Sequence, residues 1–321
     1  VNGFAFKPAV REKIGLIIGL AGASGSGKTY TAMRLATGMS GGKSFAVIDT
    51  EAGRAKHYAD RFKFDHGDLR PPFSPGAYAD AIHAADTAGY PVIVVDSMSH
   101  EWAGEGGILD WQEAELDRMA GDDWKKRESC KMAAWIKPKM AHKRMASRLL
   151  QVRAHLILCF RAEEKIEMVR VNGKMEIQPK KTLTGLDGWV PIAEKSLPYE
   201  MTASFLLTAD RPGYPKPIKL EEQHRSLFPA DRTIDEASGQ RLAEWAAGGT
   251  VAAKPATAPV QAAVSGEWTL VDKYANCTDL VVFDDLEAER ADTWRLMPKE
   301  HKTAVKAASD AAAERLGRIV R

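Results

Sequence analysis

Residues 20–36 read LAGASGSGKTYTAMRLA, and the fold is decided there. Gly22, Gly27, Lys28 and Thr29 keep the spacing G-x-x-x-x-G-K-[ST]. They follow the apolar run IGLIIGLA (14–21) and open the helical pattern KTYTAMRLATGM (28–39). Glycines let successive backbone N–H groups turn toward one anion, and a helix N-terminus adds a favourable dipole. Gly22, Ala23, Ser24, Gly25, Ser26, Gly27, Lys28, Thr29 and Tyr30 are therefore expected to wrap the phosphates of a nucleotide. Lys28 would reach the β- and γ-phosphates of ATP, and the Thr29 hydroxyl would ligate Mg²⁺.

Outward from this loop, apolar runs of strand length alternate with helical patterns. SFAVIDT (44–50), PVIVVDS (91–97), HLILCFR (155–161) and SFLLTAD (204–210) are nearly continuous in Val, Ile, Leu and Phe, as strands buried on both faces are. Segments 28–38, 76–89 and 138–153 are long enough for crossover helices. The pattern predicts an α/β fold, a mostly parallel sheet with helices on both faces. KIEMVRVNGKMEIQ (165–178) alternates on either side of Asn172-Gly173 and predicts a β-hairpin with a type I′ turn. ASGQRLAEWAA (237–247) reads as a closing helix. TVAAKPATAPVQAAVSG (250–266) reads as a flexible linker, and 267–321 as a small helical module, so residues 1–249 are expected to form the nucleotide-binding core.

Composition narrows the function. The 321 residues are 45% hydrophobic and 27% charged with a net charge of +2, so any nucleic-acid surface must be a local concentration of charge. Cys130, Cys159 and Cys277 are far apart and fit no metal spacing, as in a reducing cytosol. The most apolar run, 14–23, is too short to span a bilayer and lacks the flanks of a signal peptide. A cytoplasmic protein with no membrane partner is expected. There is no G-x-S-x-G nucleophile elbow and no dinucleotide fingerprint.

Two carboxylates complete the candidate site. Asp96 ends the strand PVIVVDS, either as the acid usually found close to Mg²⁺ or as a cap on the next turn, and Glu51 lies just past the strand after the phosphate loop, either where it can polarise water beside the γ-phosphate or as a solvent-exposed loop acid. FAVIDTEAGRAKHYA resembles the RecA recombinase segment in which Asp-x-Glu ends this strand and the Glu is the catalytic base, and VIVVDSMS is similar to the RecA-class strand ending in Asp-Ser. DSMSHEWAGEGGILD (96–110) resembles phage-encoded RecA-like ATP-binding proteins, among them ATPases of recombination and single-strand annealing modules. The likeness covers roughly residues 12–250 and is specific in three short blocks. It implies a RecA-like P-loop NTPase core with Lys28, Glu51 and Asp96 catalytic and Thr29 and Asp96 on the metal. It also implies a homo-oligomer, ring or filament, and a phage protein in a bacterial host. Such proteins usually carry an amide sensor at the end of the strand written here HLILCFRAEEK, where this chain has Arg161 and no glutamine. Either Arg161 senses the γ-phosphate, or His100 does, or Arg161 is a structural partner of Glu163 or Glu164. Arg211, Lys216 or Lys219 are candidates for a basic residue reaching a neighbouring subunit.

The segment 125–153 carries ten Lys/Arg against one acid. Lys139, Lys143, Arg144 and Arg148 recur at helical spacing, either as a stripe for a phosphate backbone or as a solvated face, while Met140, Leu149 and Leu150 suggest packing on the sheet. Trp102, Trp111, Trp124 and Trp135 are candidate stacking platforms for single-stranded bases or core residues. The hairpin region 163–181 adds Lys165, Arg170, Lys174, Lys180 and Lys181, offset by four glutamates. The leading expectation is an ATPase that binds single-stranded DNA and promotes annealing or strand exchange. A P-loop ATPase acting on a protein partner (helicase loader, remodelling or packaging accessory), a small-molecule kinase and a nucleotide-gated binding module are the alternatives. Residues 267–321 are either a dock for a partner such as a single-strand-binding protein or a stabilising cap.

Overall fold

A computed structural model describes residues 15–171, 174–180, 188–248 and 267–316, apart from scattered positions between 276 and 298. The chain divides into two compact units, residues 1–251 and 252–321. The expected linker 250–266 and the turn at Asn172-Gly173 lie outside the described residues.

The first unit is built on strands β1 (Ile17–Gly22), β2 (Phe45–Asp49), β3 (Phe64–Asp68), β4 (Val92–Asp96) and β5 (His155–Glu164). Strands β6 (Ile166–Val171) and β7 (Lys174–Pro179) follow, then β8 (Trp189–Pro191), β9 (Ala203–Leu207) and β10 (Lys216–Lys219). The main sheet runs β10-β9-β1-β5-β4-β2-β3, with β8 paired to β5. Pairings from β9 across to β3 are parallel, and only the short β10 and β8 run antiparallel to their neighbours. The expected α/β class with a mostly parallel sheet is what is found. Every residue of β1, β2, β4 and β9 is buried, which is why these strands show continuous apolar runs in place of alternation.

Helices α1 (Lys28–Met39), α2 (Pro75–Thr87), α3 (Ser99–Ala103), α4 (Ile108–Ala120), α5 (Trp124–Cys130), α6 (Ile136–Leu149), α7 (Leu197–Glu200) and α8 (Glu236–Ala246) surround the sheet. Alternate strand residues feed two cores. Leu16, Ile18, Leu20, Val47 and Phe205 meet α1 and α8 through Met33, Leu35 and Leu242. Ile17, Ile48, Ile93, Val95 and Leu158 meet α2 and α6 through Tyr78, Ile82, Met145 and Leu149. The packing face of α6 is therefore Met145 and Leu149, whereas Met140 and Leu150 are exposed, contrary to expectation. Pro138 and His142 complete the buried face, so the helix is turned relative to the sequence reading.

The hairpin β6-β7 pairs Val171 with Lys174 and Met168 with Ile177. Residues 166, 168, 175 and 177 share one face, and all four, Ile166, Met168, Met175 and Ile177, are exposed. In the second unit, α9 (Glu267–Ala275) and α10 (Lys299–Arg315) enclose a separate core of Leu270, Tyr274, Val305 and Ala312 among others. Its Tyr274 hydroxyl donates to Glu287 at 2.8 Å. No helix among the described residues is long and apolar enough to cross a membrane.

Candidate functional site

The carboxyl ends of the parallel strands form one row. Register places Gly22 of β1 beside Arg161 of β5, Asp49 of β2 beside Asp96 of β4, and Asp96 beside Cys159. Ligands of open parallel sheets bind outside this edge, and a cleft of about 680 Å³ opens there.

One wall is the phosphate loop. Gly25 (φ 80°) and Gly27 (φ 79°) hold left-handed backbone that a side chain would strain, and Gly27 passes the chain into α1. Gly22 to Gly25 and Gly27 to Tyr30 line the cleft. Ser26 does not: it is fully buried, and its hydroxyl donates to the Ala23 carbonyl at 2.8 Å, so of the expected loop residues it serves the turn. The loop is backed from behind by the Gly213 N–H, which donates to Ser26 O at 3.3 Å. Lys28 folds over the loop, its Nζ donating to Ala23 O at 2.8 Å. Burial lowers its pKa, and the nearby acidic groups offset only part of that.

Thr29 and Asp96 meet across 67 residues, the Thr29 hydroxyl donating to Asp96 Oδ2 at 2.6 Å. Burial raises the Asp96 pKa, with the Thr29 hydrogen bond opposing, and burial together with Asp96 pushes the adjacent Cys159 thiol well up. A hydroxyl beside a carboxylate is a hard oxygen pair suited to Mg²⁺. No cluster of three His, Cys, Asp or Glu among the described residues could hold a metal by itself, so an ion at Thr29 and Asp96 would share its shell with phosphate oxygens. The Asp96–Ser97 peptide is cis.

Glu51 faces the same cleft. Asp49, buried at the end of β2, accepts from the Glu51 N–H at 2.6 Å and the Ala55 N–H at 2.9 Å, and so shapes the turn that presents Glu51. Arg161 donates to Glu51 Oε1 from Nε (3.0 Å) and Nη2 (2.8 Å), and Arg54 donates from Nη1 to Oε2 at 2.8 Å. Burial pushes the Glu51 pKa up, but the two guanidinium groups outweigh it and hold the carboxyl below its ordinary value. The partner of Arg161 is thus Glu51 and neither Glu163 nor Glu164. Arg54 was not foreseen, and Asp49 entered only as the first residue of the Asp-x-Glu motif, with no role assigned; the signal for Arg54 was its closeness to Glu51 in DTEAGR.

His100 stands one layer back and does not line the cleft. Its Nδ1 is hydrogen-bonded to Thr50 Oγ1 at 2.8 Å and its ring stacks on Phe73 at 5.0 Å. Burial, then Arg161, lowers its pKa. It can act on the cleft through Thr50, the neighbour of Glu51, and not by direct contact. Tyr30 and Tyr58 also line the cleft, with ring centroids 5.9 Å apart, and Phe62 packs on Tyr30 at 5.5 Å. Trp189, carried by β8 as it pairs with Ala162–Glu164, also lines the cleft.

The remaining expected residues lie elsewhere on the first unit. Lys139, Lys143 and Arg144 are exposed on α6, as is Arg148, which donates to Asp80 at 2.8 Å. Trp102 and Trp135 stack on one another at 5.8 Å with Lys139 over the Trp135 ring, while Trp111 is half-buried and Trp124 is exposed. On the hairpin Lys165, Arg170 and Lys174 are exposed, and Lys165 pairs with Glu163 at 3.3 Å. Lys219 is no candidate for reaching a neighbour, because its ammonium donates to the Tyr199 and Met201 carbonyls at 2.7 and 2.6 Å. Arg211 lies over the Tyr214 ring at 4.1 Å, and Lys216 is exposed on β10.

A family model described as AAA domain matches residues 14–192, more than half of the chain and the part that carries every cleft residue named above. No curated protein matches the chain.

Proposed function

The chain belongs to the AAA domain family, and from that premise we propose that it is a Mg²⁺-dependent ATPase of phage DNA recombination, one that holds single-stranded DNA and promotes annealing or strand exchange. The observation that carries the ATPase reading is the convergence of Lys28, the Thr29–Asp96 pair and Glu51 on one cleft at the carboxyl edge of the sheet. In this reading the loop N–H groups and Lys28 bind the phosphates, Tyr30 and Tyr58 offer apolar surface to the base, and Glu51 takes the proton of the attacking water. Thr29 and Asp96 would hold a Mg²⁺ ion, whose chemistry there would be charge neutralisation of the bound phosphates.

The DNA reading is supported by the exposed cations Lys139, Lys143 and Arg144 on α6 and Lys165, Arg170 and Lys174 on the hairpin. The excess of positive charge is on the segment 125–153, with ten Lys/Arg against one acid, whereas the hairpin cations are offset by Glu163, Glu164, Glu167 and Glu176. The same reading makes the protein a homo-oligomer, ring or filament, in the cytoplasm of a bacterial host, with residues 267–321 docking a single-strand-binding protein. Single-strand affinity measured across a salt series tests it. Replacing Lys139, Lys143 and Arg144 together by Ala should weaken binding and flatten the log–log salt slope by about 2, at about 0.7 for each phosphate no longer neutralised. No affinity for single strands at low salt, with or without ATP, would refute it. A second reading, an ATPase acting on a protein partner, is favoured by the exposed apolar face of Ile166, Met168, Met175 and Ile177. Under it a partner protein, and not DNA, stimulates hydrolysis.

A further inference from the structure

Both oxygens of Glu51 are taken by guanidinium groups that arrive from different parts of the chain. Arg161 comes from β5, 110 residues away, and covers Oε1 with two N–H groups. Arg54 comes from the same loop and covers Oε2. Its return is built into the backbone: Ala52 (φ 56°) and Gly53 (φ 85°) are both left-handed, and this turn brings residue 54 back onto residue 51. A carboxylate held by charge-assisted bonds on both oxygens is stabilised as the anion and is a poor acceptor for the proton of a water.

The geometry of the two arginines suits exchange. The side chain of Glu51 is 13% exposed, whereas those of Arg161 and Arg54 are 50% and 69% exposed. All three line the cleft with Lys28. A guanidinium prefers a planar pair of acceptor oxygens with concentrated charge, and a terminal phosphoryl group carries more charge than one carboxylate.

We propose that Arg54 and Arg161 form a transferable clamp, which holds Glu51 until a γ-phosphate displaces it. The same interaction that distinguishes a triphosphate from a diphosphate then frees Glu51 to receive a proton from water. Arg54 and Arg161 are in this sense γ-phosphate-binding residues, and Glu51 is their competitor as well as the base. The clamp rests on the reading of the cleft as a nucleoside triphosphate site.

Equilibrium affinities for a non-hydrolysable ATP analogue and for ADP test the clamp in the full chain. Arg54→Ala and Arg161→Ala should each weaken the analogue by about tenfold while leaving ADP within about twofold, as expected when one charge-assisted hydrogen bond to phosphate is removed. Glu51→Gln should strengthen the analogue severalfold and leave ADP unchanged, because the guanidinium groups no longer have a charged competitor. In an Arg54→Ala/Arg161→Ala background that gain should vanish. A gain that persists without the arginines would be plain repulsion between Glu51 and the nucleotide and would overturn the clamp. So would arginine variants that weaken ADP as much as the analogue, or neither. Arg54→Lys and Arg161→Lys keep the charge without the fork and should recover only part of the discrimination. Failure of the unaltered protein to bind either nucleotide would remove the site reading itself, a result distinct from binding both with an unaltered ratio across the variants.

Discussion

Replacing Lys28 by Met keeps most of the unbranched side chain and removes its charged end, and the structure sets two expected magnitudes. The first concerns the fold. Lys28 has a lowered pKa because burial disfavours its ammonium, so at neutral pH the charge itself costs stability, and its removal recovers that cost. Against this stands the bond from Nζ to Ala23 O at 2.8 Å, worth about 0.5–1.5 kcal/mol. The two oppose, and Lys28→Met should melt within about 4 °C of the parent, corresponding to about 1 kcal/mol for a domain of this size. The second concerns ATP. Two charge-assisted hydrogen bonds to phosphate at about 1.5 kcal/mol each amount to about 3 kcal/mol, more than a hundredfold in Kd. Scanning calorimetry and titration calorimetry on one preparation read both. A melting temperature lower by about 8 °C or more with ATP affinity changed by less than about tenfold would show that Lys28 braces the loop and does not bind phosphate.

Three further perturbations follow from the same geometry. Glu51→Gln should slow ATP turnover by about 10² or more while the nucleotide still binds, read by single-turnover quench. The Glu51 carboxyl lies below its ordinary value of 4.5 in the fold, so its contribution to stability is present above that value and is lost as pH falls through the lowered one. The stability difference between the parent and Glu51→Gln should therefore be larger at pH 7 than at about pH 3 in urea unfolding, and an unchanged difference would contradict the Arg161 and Arg54 pairing. Gly38→Ala should cost about 1–3 kcal/mol without changing Kd for ATP, because a methyl group there would run into the Glu236 carbonyl where α1 packs on α8.

What could be read in the sequence followed burial. Strands β1, β2, β4, β5 and β9 were legible because their buried residues form apolar runs, α1, α2 and α6 because they fill the gaps between them, and α8 from its own helical pattern after the last strand. Strand β3, FDHGD, was missed because it is an edge strand with Asp65, His66, Gly67 and Asp68 in a run where apolar alternation is absent. Strands β8 and β10 are too short to leave a pattern. The phosphate loop and Asp96 are local features of strand ends and could be placed from spacing, whereas Glu51 stood out through the resemblance of its segment. The partners of Glu51 could not, since Arg161 is 110 residues away and depends on β5 lying two strands from β2. The setback of His100 behind Thr50 and the capture of Lys219 by two carbonyls are likewise properties of tertiary packing.

The most direct test of the account is Mg²⁺-dependent ATP hydrolysis by the full chain with no DNA, single-stranded DNA and duplex DNA, beside Lys28→Met and Glu51→Gln. Turnover is expected to require Mg²⁺, to rise strongly with single strands and to be lost in both variants. Hydrolysis that survives in Glu51→Gln, or that no single strand stimulates, would contradict it.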